Sequence, residues 1–202
     1  MKRSTLLLWS LIGAAAVALG IMLAQFLAPA SLPLTAGTWL PQPASIREFH
    51  LTDLSGQDFS LQSLHGHPAL LFFGFTNCPD VCPLTLATLS QLPAQVLPGL
   101  RVAFVSIDPE RDSREVLRAY LAAFSPTFIG ARGPDTALAP LLSSLHVSAE
   151  RASLPDGSYT MQHSATLYLL NTRGALAAVF DPPLSAAALS ADLRQIAASG
   201  QL

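Results

Sequence analysis

The chain has 202 residues, of which 50% are hydrophobic and 12% are charged, and its formal net charge at pH 7 is −2. Its mean hydropathy is +0.43 and its pI is about 6.2. This composition excludes a disordered chain, and the slightly negative charge provides no electrostatic basis for nucleic-acid binding. The two cysteines are too few for a disulfide-rich scaffold or for a structural zinc site on their own.

The amino terminus contains an apolar run, Leu6–Leu27, without a charged residue. A bilayer core about 30 Å thick is crossed by a helix of about 20 such residues. Two basic residues precede the run and the next charge is Arg47, so the positive-inside rule exports everything after the run. We predict a transmembrane anchor over residues 1–28 in a bacterial inner membrane, with the following domain in the periplasm. The alternative is a cleaved signal peptide with residues 28–30 as an imperfect cleavage site.

Residues 29–45 contain four prolines and no charge, which predicts a semi-extended tether. From Ile46 the chain mixes polar and apolar residues in periodic patterns, so the folded domain is predicted over residues 46–200. Short apolar runs predict buried strands, and apolar residues at helical spacing predict helices. In chain order, the predicted elements are a hairpin over 47–64, strand 69–75, helix 84–96, strand 101–107, helix 113–124, strand 127–129, helix 135–145, strands 165–170 and 176–180 as a hairpin, and helix 184–198. This order indicates an α/β sandwich with a mixed central sheet.

Cys78 and Cys82 lie between the end of a predicted buried strand and the start of a predicted helix. A helix amino terminus stabilises thiolates, so this position favours reactive or metal-binding sulfur. The alternative is a pair of inert buried cysteines, which the polar neighbours Asn77 and Asp80 argue against. An exported pair this close in sequence can also form a disulfide.

Two thiolates need a further ligand to hold a metal ion. Soft sulfur suits copper(I) and zinc, and imidazole is the best additional donor. Among the five histidines, His163 stands directly before a predicted strand, at the end of a loop that contains Gly157. Spacing alone leaves two interpretations of His163, a metal ligand and a structural histidine.

The strings GFTNCPDVCP, SIDPERD, YTMQHSATLYLLN and FDPPL occur in this order within the region 49–193. Together they resemble the Sco/SenC family of membrane-anchored, thioredoxin-like copper proteins of cytochrome c oxidase assembly. The resemblance implies a thioredoxin-like sandwich. It also implies that Cys78, Cys82 and His163 bind copper, as copper(I) or, with an added oxygen ligand, as copper(II).

Neighbouring acids also match the family pattern. Asp80 matches a family acid implicated in metal transfer, and the alternative is a solvated loop charge. Asp108 and Asp112 match a family DPxRD loop, where turn formation, helix capping and pairing with Arg111 are the expected roles. Gln162 departs from the pattern, because many relatives have an acid directly before the histidine, so the charge around the site is altered.

The resemblance implies a copper metallochaperone that receives copper from an upstream donor and delivers it to the CuA site of cytochrome c oxidase subunit II. The alternative is a thiol–disulfide oxidoreductase that reduces the acceptor's cysteines, with Cys78 as the attacking thiol and Cys82 as the resolving thiol. The spacing of three residues argues against a general reductase, as does the absence of a proline facing the pair. Whether the protein is an enzyme is left open.

Overall fold

The structure is a computed structural model that describes residues 2–27 and 32–202. The chain divides into two compact units, Met1–Ser31 and Leu32–Leu202. The first unit contains helix α1, Lys2–Leu27. In the part of the chain that the structure describes, no helix has both the length and the apolar character needed to cross a membrane. The predicted anchor therefore gains no support here, and the predicted cleavage site at 28–30 lies outside the described residues.

The second unit is an α/β domain of ten strands and five helices among the described residues. The strands are β1 Gly37–Ala44, β2 Leu51–Asp53, β3 Asp58–Phe59, β4 Ala69–Gly74, β5 Arg101–Ser106, β6 Ile129–Arg132, β7 Ala149–Ser153, β8 Tyr159–His163, β9 Leu167–Leu170 and β10 Leu176–Phe180. The helices are α2 Leu61–Leu64, α3 Val81–Ser90, α4 Arg114–Ala122, α5 Asp135–Ser144 and α6 Ala186–Ser199.

Eight of the strands form one sheet in the order β1-β10-β9-β4-β5-β6-β2-β3, and β7 pairs with β8 in a separate sheet. Strands β4, β5 and β6 pair in parallel, whereas β9 pairs antiparallel with both β4 and β10, so the predicted mixed sheet is confirmed. Strand β4 lies near the centre, and every residue in it is buried. This explains why its sequence, ALLFFG, is continuously apolar instead of alternating.

Two apolar clusters cover the two faces of the sheet. Because side chains alternate along a strand, Phe72 points into one cluster and Phe73 into the other. The first cluster includes buried leucines of α3, α4 and α6, and the second includes those of α2 and α5. The domain is therefore a sandwich of helices around one central sheet.

The predicted tether is partly a strand. From Gly37 to Ala44 the segment forms β1, which pairs antiparallel with β10. Asp192 of α6 accepts hydrogen bonds from the backbone N–H groups of Thr35, Ala36 and Gly37 at 2.7–3.0 Å, which holds the start of this segment on the domain. Prolines at 41 and 43 are compatible with this strand because it lies at the edge of the sheet and its register shifts there.

The bounds of two other elements differ from the predicted bounds, and local sequence explains both differences. Helix α3 begins at Val81 and not at residue 84, since Pro83 fits the first turn, where its missing N–H costs no helical hydrogen bond. Within the predicted hairpin over 47–64, the last residues form α2, which is capped by reciprocal hydrogen bonds between Ser60 and Ser63. The hairpin β7–β8 was not predicted, and it carries His163 at its end.

Candidate metal centre

Both cysteines lie at the carboxyl end of the central strand β4. That strand pairs with β5 on one side and β9 on the other, so its end is firmly placed. A short loop leads to Cys78, which is half-buried, and Cys82 is the second residue of α3, with 0% of its surface exposed. The backbone N–H of Cys82 donates to Cys78 Sγ over 3.5 Å. This hydrogen bond links the two cysteines directly through the first turn of the helix.

The last residue of β4, Gly74, makes room for the buried sulfur. A Cβ at this position would lie 2.8 Å from Cys82 Sγ and 2.8 Å from Cε2 of Phe104. Real Cβ atoms do not approach other atoms so closely, so glycine lets the sulfur pack directly on the strand. The position of the Cys82 sulfur therefore requires that residue 74 has no side chain.

A buried carboxylate holds the loop before Cys78. Thr76 donates to Asp112 through its hydroxyl at 2.6 Å and through its backbone N–H at 3.2 Å. Ser106, the last residue of β5, also donates its hydroxyl to Asp112 at 2.6 Å. Burial raises the pKa of Asp112 despite these hydrogen bonds. This network fixes the cysteine loop to the neighbouring strand.

His163 reaches the cysteines from the end of β8. Its Nδ1 lies 2.8 Å from the backbone carbonyl of Ser164. Because a carbonyl only accepts hydrogen bonds, Nδ1 carries the proton and Nε2 has the free lone pair. Nε2 lies 3.4 Å from Cys82 Sγ. The imidazole packs against the rings of Phe72 and Phe75, with centroids at 6.3 and 5.9 Å.

The sulfurs of Cys78 and Cys82 and one ring nitrogen of His163 all lie within 4.8 Å of one another. Within the described residues, this is the one group of three histidine, cysteine or acidic side chains close enough to share a metal ion. Burial lowers the pKa of His163, so the imidazole is neutral and able to bind metal near neutral pH. Burial raises the pKa of the Cys82 thiol, so a bound cation is needed to displace its proton.

The other predicted residues lie around this group and not in it. Asp80 is exposed and is the N-cap residue of α3, but its side chain makes no capping hydrogen bond. Asp108 is 1% exposed and pairs with Arg111, as predicted. Gln162 is exposed on β8, directly opposite Glu150 of β7, so an acid does lie next to this position across the hairpin.

Sequence reasoning missed three residues that shape the site: Gly74, Thr76 and Tyr159. Tyr159 and His163 are four residues apart on β8, so both lie on the same face of the strand. The turn residues Asp156 and Gly157 were the available signal for this hairpin, since an Asp-Gly pair between extended segments is typical of a turn. Gly74 and Thr76 carried no signal of their own, because their roles depend on distant residues.

Known proteins resemble this chain over most of the folded domain. The model of the SCO1/SenC family matches residues 40–198. A candidate copper-binding protein of Stutzerimonas stutzeri is 35% identical over 161 residues, which cover 78% of this chain and 79% of that protein. An SCO2-like protein of Rickettsia prowazekii is 33% identical over 132 residues, which cover 62% of this chain and 64% of that protein.

The same fold occurs in a solved structure of ScoI from Bradyrhizobium japonicum with copper bound. That protein is 35% identical, with a TM-score of 0.66, and the superposition covers 75% of this chain and 99% of ScoI. The predicted thioredoxin-like α/β sandwich with a mixed sheet is thereby confirmed for the domain. On the extent of the family match and of the identity to its relatives, this chain belongs to the SCO1/SenC family.

Proposed function

We propose that this protein is a copper chaperone for cytochrome c oxidase assembly, which carries copper as cargo on Cys78, Cys82 and His163. The proposal rests on the convergence of two thiol sulfurs and one imidazole nitrogen within 4.8 Å of one another. Soft sulfur with imidazole suits copper(I), and the same donors accept copper(II) when an oxygen ligand is added. The shared fold with copper-bound ScoI supports copper over zinc.

The unequal burial of the two sulfurs supports release by ligand exchange. Cys78 is half-buried, so a thiolate of an acceptor protein can reach copper on this side of the site. Cys82 is fully buried, so its sulfur is the ligand that leaves last. We propose the CuA site of cytochrome c oxidase subunit II as the acceptor, loaded from an upstream copper donor.

The experiment is an anaerobic copper(I) titration in the presence of a competing chelator. The wild type should bind one copper ion per chain, and Cys78→Ser/Cys82→Ser should bind none. His50→Ala is a suitable control, since His50 is exposed and hydrogen-bonded to Asp58 outside the site. The copper-loaded protein is then mixed with a purified CuA domain, and transfer of one equivalent of copper to that domain tests delivery. Equal copper content in the wild type and the double variant would overturn the proposal.

A second candidate function is thiol–disulfide exchange with the same acceptor. Both cysteines are free and their sulfurs lie close together, which favours a Cys78–Cys82 disulfide as the oxidised form. In this reaction the dithiol gives two electrons and two protons to the acceptor's disulfide, and Cys78 and Cys82 become linked. The half-exposed Cys78 suits the attacking role and the buried Cys82 the resolving role.

Thiol counting separates the two candidates. The reduced protein is mixed with a CuA domain whose cysteines are oxidised, and free thiols on each partner are measured after separation. Reduction of the acceptor supports exchange chemistry. An acceptor that stays oxidised, while a reduced acceptor still receives copper, leaves the chaperone role alone.

We also propose that the domain lies in the bacterial periplasm beside the inner membrane. The support is the charge-free apolar segment after two basic residues at the amino terminus. A fusion of alkaline phosphatase to the carboxyl terminus should be active in intact bacteria and should sediment with membranes. An inactive fusion, or one found in the cytoplasmic fraction, would contradict this location.

A further inference from the structure

The hairpin that carries His163 is attached differently from the rest of the domain. Strands β7 and β8 pair only with each other among the described strands, so ladder hydrogen bonds do not fix the hairpin to the main sheet. Ala149 and Met161 pack partly against the second apolar cluster. Further support comes from side chains of the loop between β5 and α4.

Tyr159, the first residue of β8, lies between two guanidinium groups. The Cζ atoms of Arg111 and Arg151 are 3.8 and 3.9 Å from the centroid of its ring. Its hydroxyl donates to Asp108 Oδ1 at 2.9 Å, and Arg111 Nη1 donates to its backbone carbonyl at 2.9 Å. Arg111 also forms an ion pair with Asp108. We call Asp108, Arg111, Arg151 and Tyr159 the tyrosine clamp.

A second ion pair reinforces the clamp from the same loop. Arg151 Nη2 lies 2.7 Å from Glu110 Oε2, and this exposed ion pair adds a weak link between β7 and the loop. Asp108, Glu110 and Arg111 come from the loop, whereas Arg151 and Tyr159 come from β7 and β8. The clamp therefore ties both strands of the hairpin to one segment of the domain.

The clamp is continuous with the metal centre. Tyr159 and His163 lie on one face of β8, because they are four residues apart along an extended strand. The guanidinium of Arg111 lies 5.7 Å from the ring centroid of Phe75, and Phe75 packs edge-on against the imidazole of His163 at 5.9 Å. A displaced hairpin would therefore carry His163 away from the cysteines.

We propose that Tyr159 is a positioning residue for His163: through the tyrosine clamp it orders the hairpin and so holds the imidazole in place to bind copper. This inference rests on the proposed copper-binding function. Tyr159 itself does not touch the ligand atoms and acts through the hairpin. The apparent affinity for copper then depends on the fraction of molecules in which His163 is correctly placed.

The variants are chosen to remove parts of the clamp. Tyr159→Phe removes the hydrogen bond to Asp108 and keeps the ring between the two arginines, whereas Tyr159→Leu removes both. Tyr120→Phe is the matched control, because the hydroxyl of Tyr120 has no hydrogen-bond partner among the described residues. Each variant is compared in a wild-type and in a His163→Ala background.

Hydrogen exchange of the apo protein gives a readout that is independent of copper. Loss of one charge-assisted hydrogen bond and two cation–π contacts in Tyr159→Leu should speed exchange of the amides of residues 149–163 by about tenfold or more. Tyr159→Phe should speed exchange of the same amides about threefold, since only the hydrogen bond is lost. In both Tyr159 variants, exchange of the main-sheet amides should match that of the wild type. In Tyr120→Phe, exchange of all amides should match that of the wild type.

Copper(I) affinity tests whether the clamp acts through the histidine. Tyr159→Leu should raise the dissociation constant several-fold but by less than His163→Ala does, because His163 is still correctly placed in a fraction of the molecules. X-ray absorption should show fewer nitrogen neighbours of copper at partial loading. In the His163→Ala background, Tyr159→Leu should have no further effect, because the ligand that it positions is absent.

Several outcomes would overturn the inference. It is wrong if the exchange rates of the hairpin in Tyr159→Leu match those of the wild type. It is also wrong if Tyr159→Leu weakens copper binding equally in both backgrounds, since the effect would then not pass through His163. A wild type that binds no copper would instead contradict the proposed function, and the exchange rates would still show whether the clamp orders the hairpin.

Discussion

The two halves of the metal centre are built in different ways. The cysteines lie at the end of a fully buried central strand, and Asp112 fixes the loop before them to β5 through Thr76 and Ser106. The histidine lies on a two-stranded hairpin outside the main sheet, held by the tyrosine clamp. One half is therefore part of the core, while the other is attached to it by side chains.

This difference suits a protein that must both hold and release a metal ion. Two sulfurs placed by the core stay close together whether copper is bound or not. An imidazole on a separately attached hairpin can leave without disturbing the sheet, because few core contacts would be lost. The loop of residues 107–113 contacts both halves, since Asp112 holds the cysteine side while Asp108 and Arg111 hold the histidine side.

The largest expected effect is on the cysteine half. Cys78→Ser and Cys82→Ser should each abolish stoichiometric copper binding, because a hydroxyl is a poor ligand for copper(I). Their stabilities should differ, since a hydroxyl buried at residue 82 without a new partner costs about 1–3 kcal/mol. Urea unfolding of the apo proteins measures this difference. Equal stabilities of the two variants would contradict the expectation that the buried Cys82 contributes more to stability than the half-buried Cys78 does.

Two glycine substitutions compare the halves directly. Gly74→Ala should lower the free energy of unfolding by about 1–3 kcal/mol and displace Cys82, because the new Cβ overlaps its sulfur and Phe104. Gly157→Ala should cost about 1 kcal/mol and disturb only the hairpin, since its φ is +83° and a Cβ there meets no described atom within 4 Å. Thermal unfolding with hydrogen exchange separates the two. A global effect of Gly157→Ala would show that the hairpin is not independent.

The third prediction concerns the ligand on the hairpin. His163→Ala should keep both sulfurs in place, so copper(I) remains bound with a dissociation constant raised by about tenfold or more. The apo protein should unfold in a single transition close to that of the wild type. Competition titration and urea unfolding measure the two quantities, with His50→Ala as the control. Complete loss of copper would mean that the two sulfurs alone are not a preformed site.

The smallest effect is a pH dependence from Asp112. Its folded-state pKa lies above the ordinary value of 3.8 because of burial, so the folded state holds the proton more tightly than the unfolded state does. The contribution of Asp112 to the free energy of unfolding should therefore be largest below pH 3.8 and fall as the pH rises through the folded-state pKa, by about 1.4 kcal/mol for each unit of the shift. Asp112→Asn should lack this decline when unfolding is measured from pH 3 to 7. If the free energy of unfolding of the wild type and that of Asp112→Asn change in the same way with pH, the prediction is contradicted.

Residue patterns alone largely predict the cysteine half, whereas they leave the histidine half open and only the family resemblance identifies His163. Continuous apolar runs identify buried strands such as β4, and the position of Cys78 and Cys82 after that strand follows from local order along the chain. The hairpin β7–β8 is polar, so no apolar periodicity identifies it, and its support comes from side chains distant in sequence. His163 and Cys82 are 81 residues apart, and only the topology of the folded chain brings them together.

Strand β1 was missed for a related reason, since its prolines resemble those of a linker. As the outermost strand, it exposes one side that no described strand pairs with. Proline has no N–H to offer there, so Pro41 and Pro43 leave gaps in the row of donors that a second chain would need to extend the sheet. Pro41 and Pro43, which make this strand resemble a linker in the sequence, should therefore protect the protein from edge-to-edge self-association at high protein concentration.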